Sequence, residues 1–265
     1  MFDINTAIGH WPFRSIPNQA PSDLRKTLEA HGIRGAAAAN THGLFYKNCH
    51  DANRELADQL APHADFFVGV ATLNPLYPAW ERDLQECVDS LGMRALRLVP
   101  QYHHYQLADD EVLALVRAAA ALELPILIPH RVVDPRQHHW LDTEETVPVK
   151  DVVGLCNAVP EGKFVLTEFP ASFGIISNSE GEVSVKNLQL EMSRCTSVYG
   201  QVLAQLVARC GADKVLFGSG APFKEITPAR LKLHHADISA EQRELIAGEN
   251  ARKLLGYSIG GTCQL

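Results

Sequence analysis

The sequence lacks the features that would assign it to several common classes of protein. Its six cysteines include no C-x-x-C pair, which argues against a disulfide framework and is typical of reduced thiols in the cytoplasm. No apolar run approaches the roughly 20 residues that a membrane span requires, and the N-terminus does not resemble a signal peptide. No G-x-G-x-x-G or P-loop motif follows an apolar run. We therefore expect a cytoplasmic protein with no membrane partner and no nucleotide-binding loop.

Positive charge is also scarce. The chain has 24 Lys and Arg against 31 Asp and Glu, which gives a net charge of −7. A nucleic-acid surface needs a clustered excess of basic residues, so we expect no nucleic-acid partner. A small organic anion is still allowed, because a few arginines at one site can bind it whatever the charge of the whole chain.

Short apolar runs alternate with amphipathic segments along the chain. Eight runs predict β-strands: Phe2–Asn5, Arg34–Asn40, Phe66–Leu73, Met93–Val99, Ile126–His130, Phe164–Phe169, Leu188–Met192 and Val215–Ser219. Seven segments predict helices: Ser22–His31, Ala52–Leu60, Ala79–Leu91, Asp109–Leu122, Val149–Ala158, Val198–Cys210 and Ser239–Leu255. Ser239 and Gln242 form a capping box at the start of the last helix.

Strict alternation of strand and helix favours βα units and a parallel sheet. The 265 residues are close to the roughly 250 that are typical of one (β/α)8 barrel. We therefore predict an α/β fold, a single (β/α)8 TIM barrel over residues 1–257, with residues 258–265 as a C-terminal tail. A doubly wound open sheet is the alternative.

The active site of a (β/α)8 barrel gathers at the C-terminal ends of its strands. The polar residues that follow the apolar runs are therefore the candidates for chemistry. Six candidates for binding substrate or water are Asn5, His10, Arg97, His104, Arg131 and Ser219. Two candidate acid–base catalysts are His130 and Glu168, because the pKa values of imidazoles and carboxylates respond to burial and to neighbouring arginines.

Two arrangements of these residues would form a functional site, one for a metal ion and one for an anionic substrate. His130, Glu168 and a loop histidine, His10 or His104, would suit a zinc ion with an open position for water. In the structural alternative, His130 caps its strand and Glu168 pairs with an arginine.

The second arrangement is a cluster of Arg97, Arg131 and Arg194 at three strand ends. Such a cluster would hold an anionic substrate, because guanidinium groups bind carboxylates through two hydrogen bonds. The structural alternative has these arginines neutralise internal carboxylates, namely Asp3, Glu168 and Glu191.

Four segments carry a more specific pattern: Met93–Pro100 (MRALRLVP), Leu124–His130 (LPILIPH), Val215–Phe223 (VLFGSGAPF) and Glu249–Gly256 (ENARKLLG). Together they resemble the amidohydrolase-related family, in the branch of aminocarboxymuconate-semialdehyde decarboxylase-like enzymes and assorted hydrolases. The last two segments resemble the "LLFGSDxP" strand and the closing "xNAxRLLG" helix of that family. The resemblance implies a metal-dependent-hydrolase-like TIM barrel, and it implies a homodimer as one expectation, because family members often form dimers.

The same resemblance implies that the metal site of the family is largely lost. Family members typically bind a divalent ion through an H-x-H on strand one, histidines on strands five and six, and an aspartate on strand eight. Asn5 and Ala7 stand where the H-x-H belongs, Glu168 stands on strand six, and Gly220 replaces the aspartate. Only His130 has a counterpart among those ligands. Glycine can neither bind a cation nor move a proton.

These observations lead to a divergent member of the family, a hydrolase or lyase acting on a small, anionic organic substrate and needing either no metal cofactor or a weakly held one. Two alternatives remain open. One is a catalytically inactive barrel that binds a metabolite or a partner protein. The other is a metallohydrolase with a rearranged His10, His130 and Glu168 site that holds zinc.

Overall fold

Eight parallel strands form a barrel at the centre of the structure, a computed structural model that describes residues 1–171, 185–196, 198–199 and 201–257. The strands are β1 (Asp3–Ile8), β2 (Ala36–Asn40), β3 (Phe67–Thr72), β4 (Ala95–Arg97), β5 (Ile126–Pro129), β6 (Phe164–Thr167), β7 (Leu188–Glu191) and β8 (Val215–Leu216). Each strand pairs with the next one in the chain, and a bridge between Thr6 and Ala221 joins the segment after β8 to β1. The predicted (β/α)8 barrel is confirmed, and the open-sheet alternative is wrong. The predicted tail lies outside the described residues.

Helices follow the strands and cover the outside of the barrel. In the described part of the chain they are α1 (Pro21–Ala30), α2 (Cys49–Leu60), α3 (Trp80–Asp89), α4 (Pro100–His103), α5 (Asp110–Ala121), α6 (Val149–Ala158), α7 (Val202–Cys210), α8 (Ile226–His235), α9 (Ala240–Glu244) and α10 (Asn250–Leu255). Each of the seven predicted helices overlaps one of these, whereas α4 and α8 lie outside the predicted segments. None of the described helices is both long enough and apolar enough to cross a lipid bilayer.

The segment that is predicted as one helix after Ser239 is interrupted. Its capping box is confirmed, because Ser239 Oγ accepts a hydrogen bond from the Gln242 N–H and Gln242 Oε1 accepts one from the Ser239 N–H. Residues 245–249 then wind as a π-helix, and the backbone leaves the helical region at Gly248. A side chain at Gly248 would meet Phe2, which packs closely against this turn. The close packing explains the interruption, and α10 begins after it.

Alternate residues of each strand face opposite sides of the barrel wall. The inward-facing side chains form an apolar cluster rich in small residues: Ile4, Ala37, Ala39, Val68, Val70, Ala95, Leu127, Val165 and Leu216. Their outward-facing neighbours, such as Ile128, Phe164 and Leu190, pack under the helices. Fully burying a large apolar side chain contributes about 1.5–3 kcal/mol, so the wall is stabilised from both sides.

The two ends of the barrel differ. At the N-terminal ends of the strands, Phe2, Ala251 and Leu255 pack into the inner cluster, so α10 closes this end. A separate apolar cluster contains Trp11, whose ring packs edge-on against Phe223 at 5.0 Å, and Phe223 borders the cavity at the C-terminal ends of the strands. The polar residues that follow the strands therefore meet at the end that α10 leaves open.

Candidate functional site

A cavity of about 40 Å³ lies at the C-terminal ends of the strands. This volume holds roughly two or three water molecules. Four of the predicted site residues line it, namely Asn5, Arg97, Arg131 and Glu168. The structure thus brings together polar groups from the ends of β1, β4, β5 and β6, as the barrel rule predicts.

Glu168 is the most constrained residue of this cavity. It follows β6 with a backbone φ of +58°, in the left-handed region that non-glycine residues seldom adopt. Its Oε1 accepts hydrogen bonds from Asn5 Nδ2 (2.9 Å) and Ser193 Oγ (3.2 Å). Its Oε2 accepts hydrogen bonds from Lys224 Nζ (2.9 Å) and Arg194 Nε. Backbone strain of this kind costs about 1–3 kcal/mol and clusters at functional sites. The barrel therefore holds this carboxylate in one orientation against the local backbone preference.

Two cations flank the Glu168 carboxylate. Lys224 Nζ also donates to Ser193 Oγ at 2.5 Å, and its side chain is 20% exposed. The Arg194 side chain is 8% exposed, and its Nη1 donates to Asp134 Oδ2 at 2.8 Å. The Arg194 guanidinium therefore lies between two carboxylates of the chain itself, Asp134 and Glu168. For this arginine the structure shows the predicted structural alternative, in which it neutralises internal carboxylates and does not bind an anionic substrate.

Glu191 lies behind Glu168 at the end of β7 and is completely buried. Its Oε2 accepts hydrogen bonds from Asn5 Nδ2 (3.1 Å), the Glu168 N–H (2.9 Å) and Ser193 Oγ (3.0 Å). Its Oε1 accepts one from the Ser193 N–H. Gly218 leaves space for this side chain, because a Cβ there would lie only 2.7 Å from Glu191 Cδ.

The pKa values of the two glutamates are shifted in opposite directions. Burial by itself would raise the pKa of Glu168, but the charges of Lys224 and then Arg194 outweigh burial and hold that pKa below its ordinary value. Burial, and then the negative charge of Glu168, raise the pKa of Glu191. The cavity is therefore lined by an ionised carboxylate, with a carboxyl group that holds its proton more tightly behind it.

Arg97 and Arg131 bring positive charge to the cavity. Arg97 Nε donates to Thr72 Oγ1 at 3.1 Å and its Nη2 donates to Asn40 O at 2.7 Å, and both acceptors are neutral. Burial lowers the pKa of Arg97 to about 10. Burial, and then the charge of Arg194, lower the pKa of Arg131. Neither guanidinium forms an ion pair with a carboxylate of the described residues. Holding two half-buried cations at one cavity without a paired carboxylate is unfavourable, so these two groups favour an anion in the cavity.

His130 and Ser219 lie outside the lining of the cavity. His130 follows β5, and its Nδ1 donates to Val147 O at 2.8 Å, which leaves Nε2 as an acceptor. Burial lowers the pKa of His130. Ser219 is buried beneath the cavity, where its N–H donates to Asp3 Oδ1 at 3.0 Å. Ser219 therefore supports the site from below rather than facing its contents.

His10 and His104 are exposed and do not line the cavity. His104 ends α4 in a left-handed conformation, and the buried imidazole of that turn is instead His103, whose Nε2 donates to a carbonyl oxygen at 2.9 Å. Among the described residues, the donor atoms of His10, His130 and Glu168 do not all come within 4.8 Å of one another. The zinc arrangement predicted from these three side chains is thus not assembled in the structure.

A different group of ligand atoms, from His50, Asp83 and Glu86, does lie within 4.8 Å, between α2 and α3. His50 Nε2 is 3.4 Å from Glu86 Oε2. Two hydrogen bonds with the backbone of Thr72 (2.8 and 2.9 Å) fix the Asn53 amide, whose Nδ2 donates to His50 Nδ1 at 3.3 Å. The imidazole proton then sits on Nε2 and faces the carboxylates. A metal ion at this group would have to displace that proton.

Asp3 is a buried carboxyl group under the cavity. Its Oδ1 accepts hydrogen bonds from the N–H groups of Asn5 and Ser219, both at 3.0 Å. Its Oδ2 has no hydrogen-bond partner among the described residues. Burial raises the pKa of Asp3 from 3.8 to about 7. The folded protein therefore keeps a proton on Asp3 at pH values where the unfolded chain has released it.

We expect Asp3→Asn to flatten the pH dependence of stability. Between pH 4 and pH 7 the folded wild type binds the extra proton, so its free energy of unfolding falls as the pH rises, by up to about 1.4 kcal/mol per pH unit, and levels off above pH 7. Asparagine does not titrate, so this contribution disappears. The measurement is urea unfolding at pH 5, 6, 7 and 8, with the exposed Asp58→Asn as the matched control. A variant with the same slope as the wild type would contradict a protonated Asp3.

Three residues of the site were not among the predicted catalytic or substrate-binding residues: Glu191, Ser193 and Lys224. The sequence does contain a signal for Glu191. It lies two residues after the half-buried Gln189 in β7, so these two side chains share one face of the strand, opposite the two fully buried leucines. The sequence signal for Lys224 is indirect, because Gly220 stands where the family has an aspartate. The glycine leaves space at the barrel mouth, but the sequence does not show which side chain fills that space.

The fold and the cavity together define a class: a (β/α)8 barrel whose ionisable side chains meet at the C-terminal mouth. A family model described as Amidohydrolase matches residues 6–257. The chain belongs to the amidohydrolase family. No functionally curated protein matches it in sequence.

Solved structures with the same fold include several decarboxylases. A dihydroxybenzoic acid decarboxylase from Polaromonas sp. JS666, with bound manganese and the inhibitor 2-nitroresorcinol, is similar with a TM-score of 0.72 and 18% identity, over 96% of each chain. A 5-carboxyvanillate decarboxylase from Sphingomonas paucimobilis is similar with a TM-score of 0.71 and 15% identity, over 97% of this chain and 99% of the other. A probable 2-pyrone-4,6-dicarboxylic acid hydrolase from Acinetobacter baumannii, with citric acid bound, has a TM-score of 0.70 and 14% identity, over 97% and 99% of the two chains. At these identities the likeness is one of fold.

Proposed function

We propose that this chain is a hydrolase of a small, carboxylate-bearing organic anion, and that it works at the barrel mouth without a divalent ion there. The observation that carries the proposal is Arg97, a half-buried side chain on the cavity wall whose two hydrogen-bond acceptors are neutral oxygens. Such a cation gains most from a ligand that brings the missing negative charge.

Arg97 and Arg131 are the proposed anchors for a substrate carboxylate. Both line a cavity of about 40 Å³, a volume that suits the three heavy atoms of a carboxylate group. Guanidinium groups hold such a group through paired hydrogen bonds, which fixes its direction as well as its position. The anchored carboxylate would leave the rest of the substrate at the opening of the cavity, near the apolar surface of Phe223.

Glu168 is the proposed proton acceptor. Lys224 and Arg194 hold its pKa low, so it is ionised and can accept a proton but has none to give. In the proposed step, water takes the place of the neutral Ser193 hydroxyl at Glu168 Oε1 and adds to the carbonyl carbon of an ester or lactone while its proton passes to that oxygen. The carbon–oxygen bond of the ester then breaks, and the leaving oxygen takes up that proton. Decarboxylation of a hydroxybenzoate would instead need a proton donor that faces the substrate. Glu168, which lines the cavity, is ionised, and Glu191, whose pKa is raised, is completely buried behind it, which is why hydrolysis is favoured.

The amidohydrolase fold implies a divalent ion, and the donors at this mouth do not fit one. Both oxygens of Glu168 already accept two hydrogen bonds each, and two of those four donors are cationic. The Asn5 amide turns its Nδ2, which has no lone pair to offer a metal, toward both glutamates. No step of the proposed reaction therefore passes through a metal.

The similar solved structures support the choice of substrate class. Their names give aromatic or cyclic acids: dihydroxybenzoic acid, 5-carboxyvanillate and 2-pyrone-4,6-dicarboxylic acid. The last of these structures holds citric acid, a compound with several carboxylates. We infer that the present chain acts on a molecule of similar size and charge.

The proposal is tested with a panel of carboxylated lactones, hydroxybenzoates and amides, offered to the protein after treatment with a chelator. Hydrolysis of carboxylated lactones, with weaker or no hydrolysis of their methyl esters, is the expected result. Release of carbon dioxide from hydroxybenzoates would make the chain a lyase. Saturable binding without turnover would favour the catalytically inactive barrel, in which the four hydrogen bonds to Glu168 are structural. Activity that appears only on adding zinc or manganese would restore the metallohydrolase alternative.

A further inference from the structure

Lys224 fills the part of the mouth that lies against Gly220. The Lys224 N–H donates to Gly220 O at 3.2 Å, so the chain turns back and the lysine side chain crosses over the glycine. A Cβ at position 220 would overlap Lys224 Cε, and it would lie 3.1 Å from Lys224 Nζ and 2.7 Å from Glu168 Oε1. Any side chain at position 220 would therefore displace the ammonium group or the carboxylate.

The Glu168 carboxylate already has two cationic partners. Glu168 and Glu191 bring at most two negative charges, and Arg194 and Lys224 bring two positive charges within hydrogen-bonding reach of Glu168. Ser193 connects these groups, because its Oγ lies 3.2 Å from Glu168 Oε1 and 3.0 Å from Glu191 Oε2, can donate its one proton to either, and accepts from Lys224 Nζ. A divalent ion would add two positive charges next to the two cations that already hydrogen-bond to Glu168, in a cavity that Arg97 and Arg131 also line.

We propose that Lys224 is the permanent cation of the barrel mouth. Its tethered ammonium supplies the positive charge for which the fold family uses a divalent ion, and position 220 is glycine because the ammonium needs that space. This inference rests on the proposed function only in placing the chemistry at this mouth. Its tests use no substrate, so the failure of the substrate panel and the failure of this inference are separate results.

The first test is a double-mutant cycle in stability between Gly220→Ala and Lys224→Ala. In the wild-type background the alanine side chain collides with Lys224, so the melting temperature falls. In the Lys224→Ala background this collision is absent, so Gly220→Ala is expected to lower the melting temperature by a clearly smaller amount. Additive losses would overturn the claim that Gly220 exists to make room for Lys224.

Gly32→Ala provides the matched control for this cycle. Gly32 has the same φ of +73° as Gly220, but a Cβ there would meet nothing within 4 Å. Its replacement therefore measures the backbone cost of a left-handed alanine alone. We expect Gly32→Ala and Lys224→Ala to be additive.

The second test measures metal content in protein that was expressed with added zinc and manganese and then dialysed. It compares the wild type with Glu168→Gln, which alters the mouth, and His50→Gln, which removes a ligand from the group between α2 and α3. No stoichiometric ion, or an ion that only His50→Gln removes, is the expected result. A stoichiometric ion that survives in His50→Gln would overturn the proposal, and its loss in Glu168→Gln would place it at the mouth. If the variants of the mouth do not fold, the wild type and His50→Gln are enough to distinguish these outcomes.

Discussion

Replacing Glu168 by glutamine is expected to lower kcat for the lactone substrate by about 10²–10⁴-fold, the range that a positioned general base contributes. Glutamine keeps the size of the side chain but cannot take a proton from water. Its amide NH₂ would also face Lys224 or Arg194, which now donate to the carboxylate. The measurement is steady-state kinetics as a function of pH, in which the wild type should lose activity at low pH, as Glu168 becomes protonated.

A structural role for Glu168 would also reduce activity, so the folded fraction must be measured alongside kcat. Far-UV circular dichroism and the melting temperature supply it. Glu168→Asp, which keeps the charge but shortens the side chain, should recover part of the activity and should keep the acidic limb of the pH profile. The exposed Glu111→Gln on α5 serves as the control. Wild-type kcat in a folded Glu168→Gln variant would remove Glu168 from the reaction.

Replacing Arg97 by methionine is the second change for which we expect a large effect, and its effect should fall on binding. Truncating one partner of a buried charge pair costs about 2–5 kcal/mol, which corresponds to a rise in KM of roughly thirtyfold to several thousandfold. The change in kcat should be smaller, because Arg97 is proposed to hold the carboxylate and to take no part in the proton transfer. Arg97→Lys should recover binding only in part, because an ammonium cannot form the paired hydrogen bonds.

Stability separates this role from a structural one. The half-buried side chain of Arg97 has no paired carboxylate among the described residues, and burial of the guanidinium already lowers its pKa to about 10. Its removal should therefore leave the melting temperature unchanged or raise it, although the acceptors Thr72 Oγ1 and Asn40 O each lose a donor. The exposed Arg117→Met on α5 is the control. A variant that loses stability but binds the substrate normally would show that Arg97 is only structural.

The barrel could be predicted from the sequence because its signals are local and repeated. Each strand is a short apolar run bounded by polar residues, and each predicted helix has its own period or cap, as in the capping box of Ser239. Such signals survive in a single sequence, because they depend on which residues are neighbours along the chain. The rule that chemistry gathers at the C-terminal strand ends then pointed to Asn5, Arg97, Arg131 and Glu168, which line one cavity in the structure.

The rest of the site could not be predicted because it depends on the direction in which side chains point. His104 follows a strand end, as Glu168 does, but a left-handed turn at the end of α4 leaves it in solvent. Glu168 also adopts a left-handed conformation, yet it is turned into the cavity. Lys224 reaches the mouth only because its long side chain folds back over Gly220. Neither the composition of the chain nor the periodic pattern of its apolar residues shows where these side chains point.

The closure of the barrel between β1 and the segment after β8 has a consequence for how the chain folds. Strand β1 needs partners from the far end of the sequence: the Ile4 N–H donates to Phe217 O at 3.1 Å, and the Phe2 N–H donates to Ala247 O at 2.8 Å. Until those segments arrive, one side of β1 offers unpaired backbone groups to any other strand in solution. Contacts of such long sequence separation form slowly. Refolding should therefore be limited by ring closure and should become less efficient as the protein concentration rises, because intermolecular strand pairing competes with it.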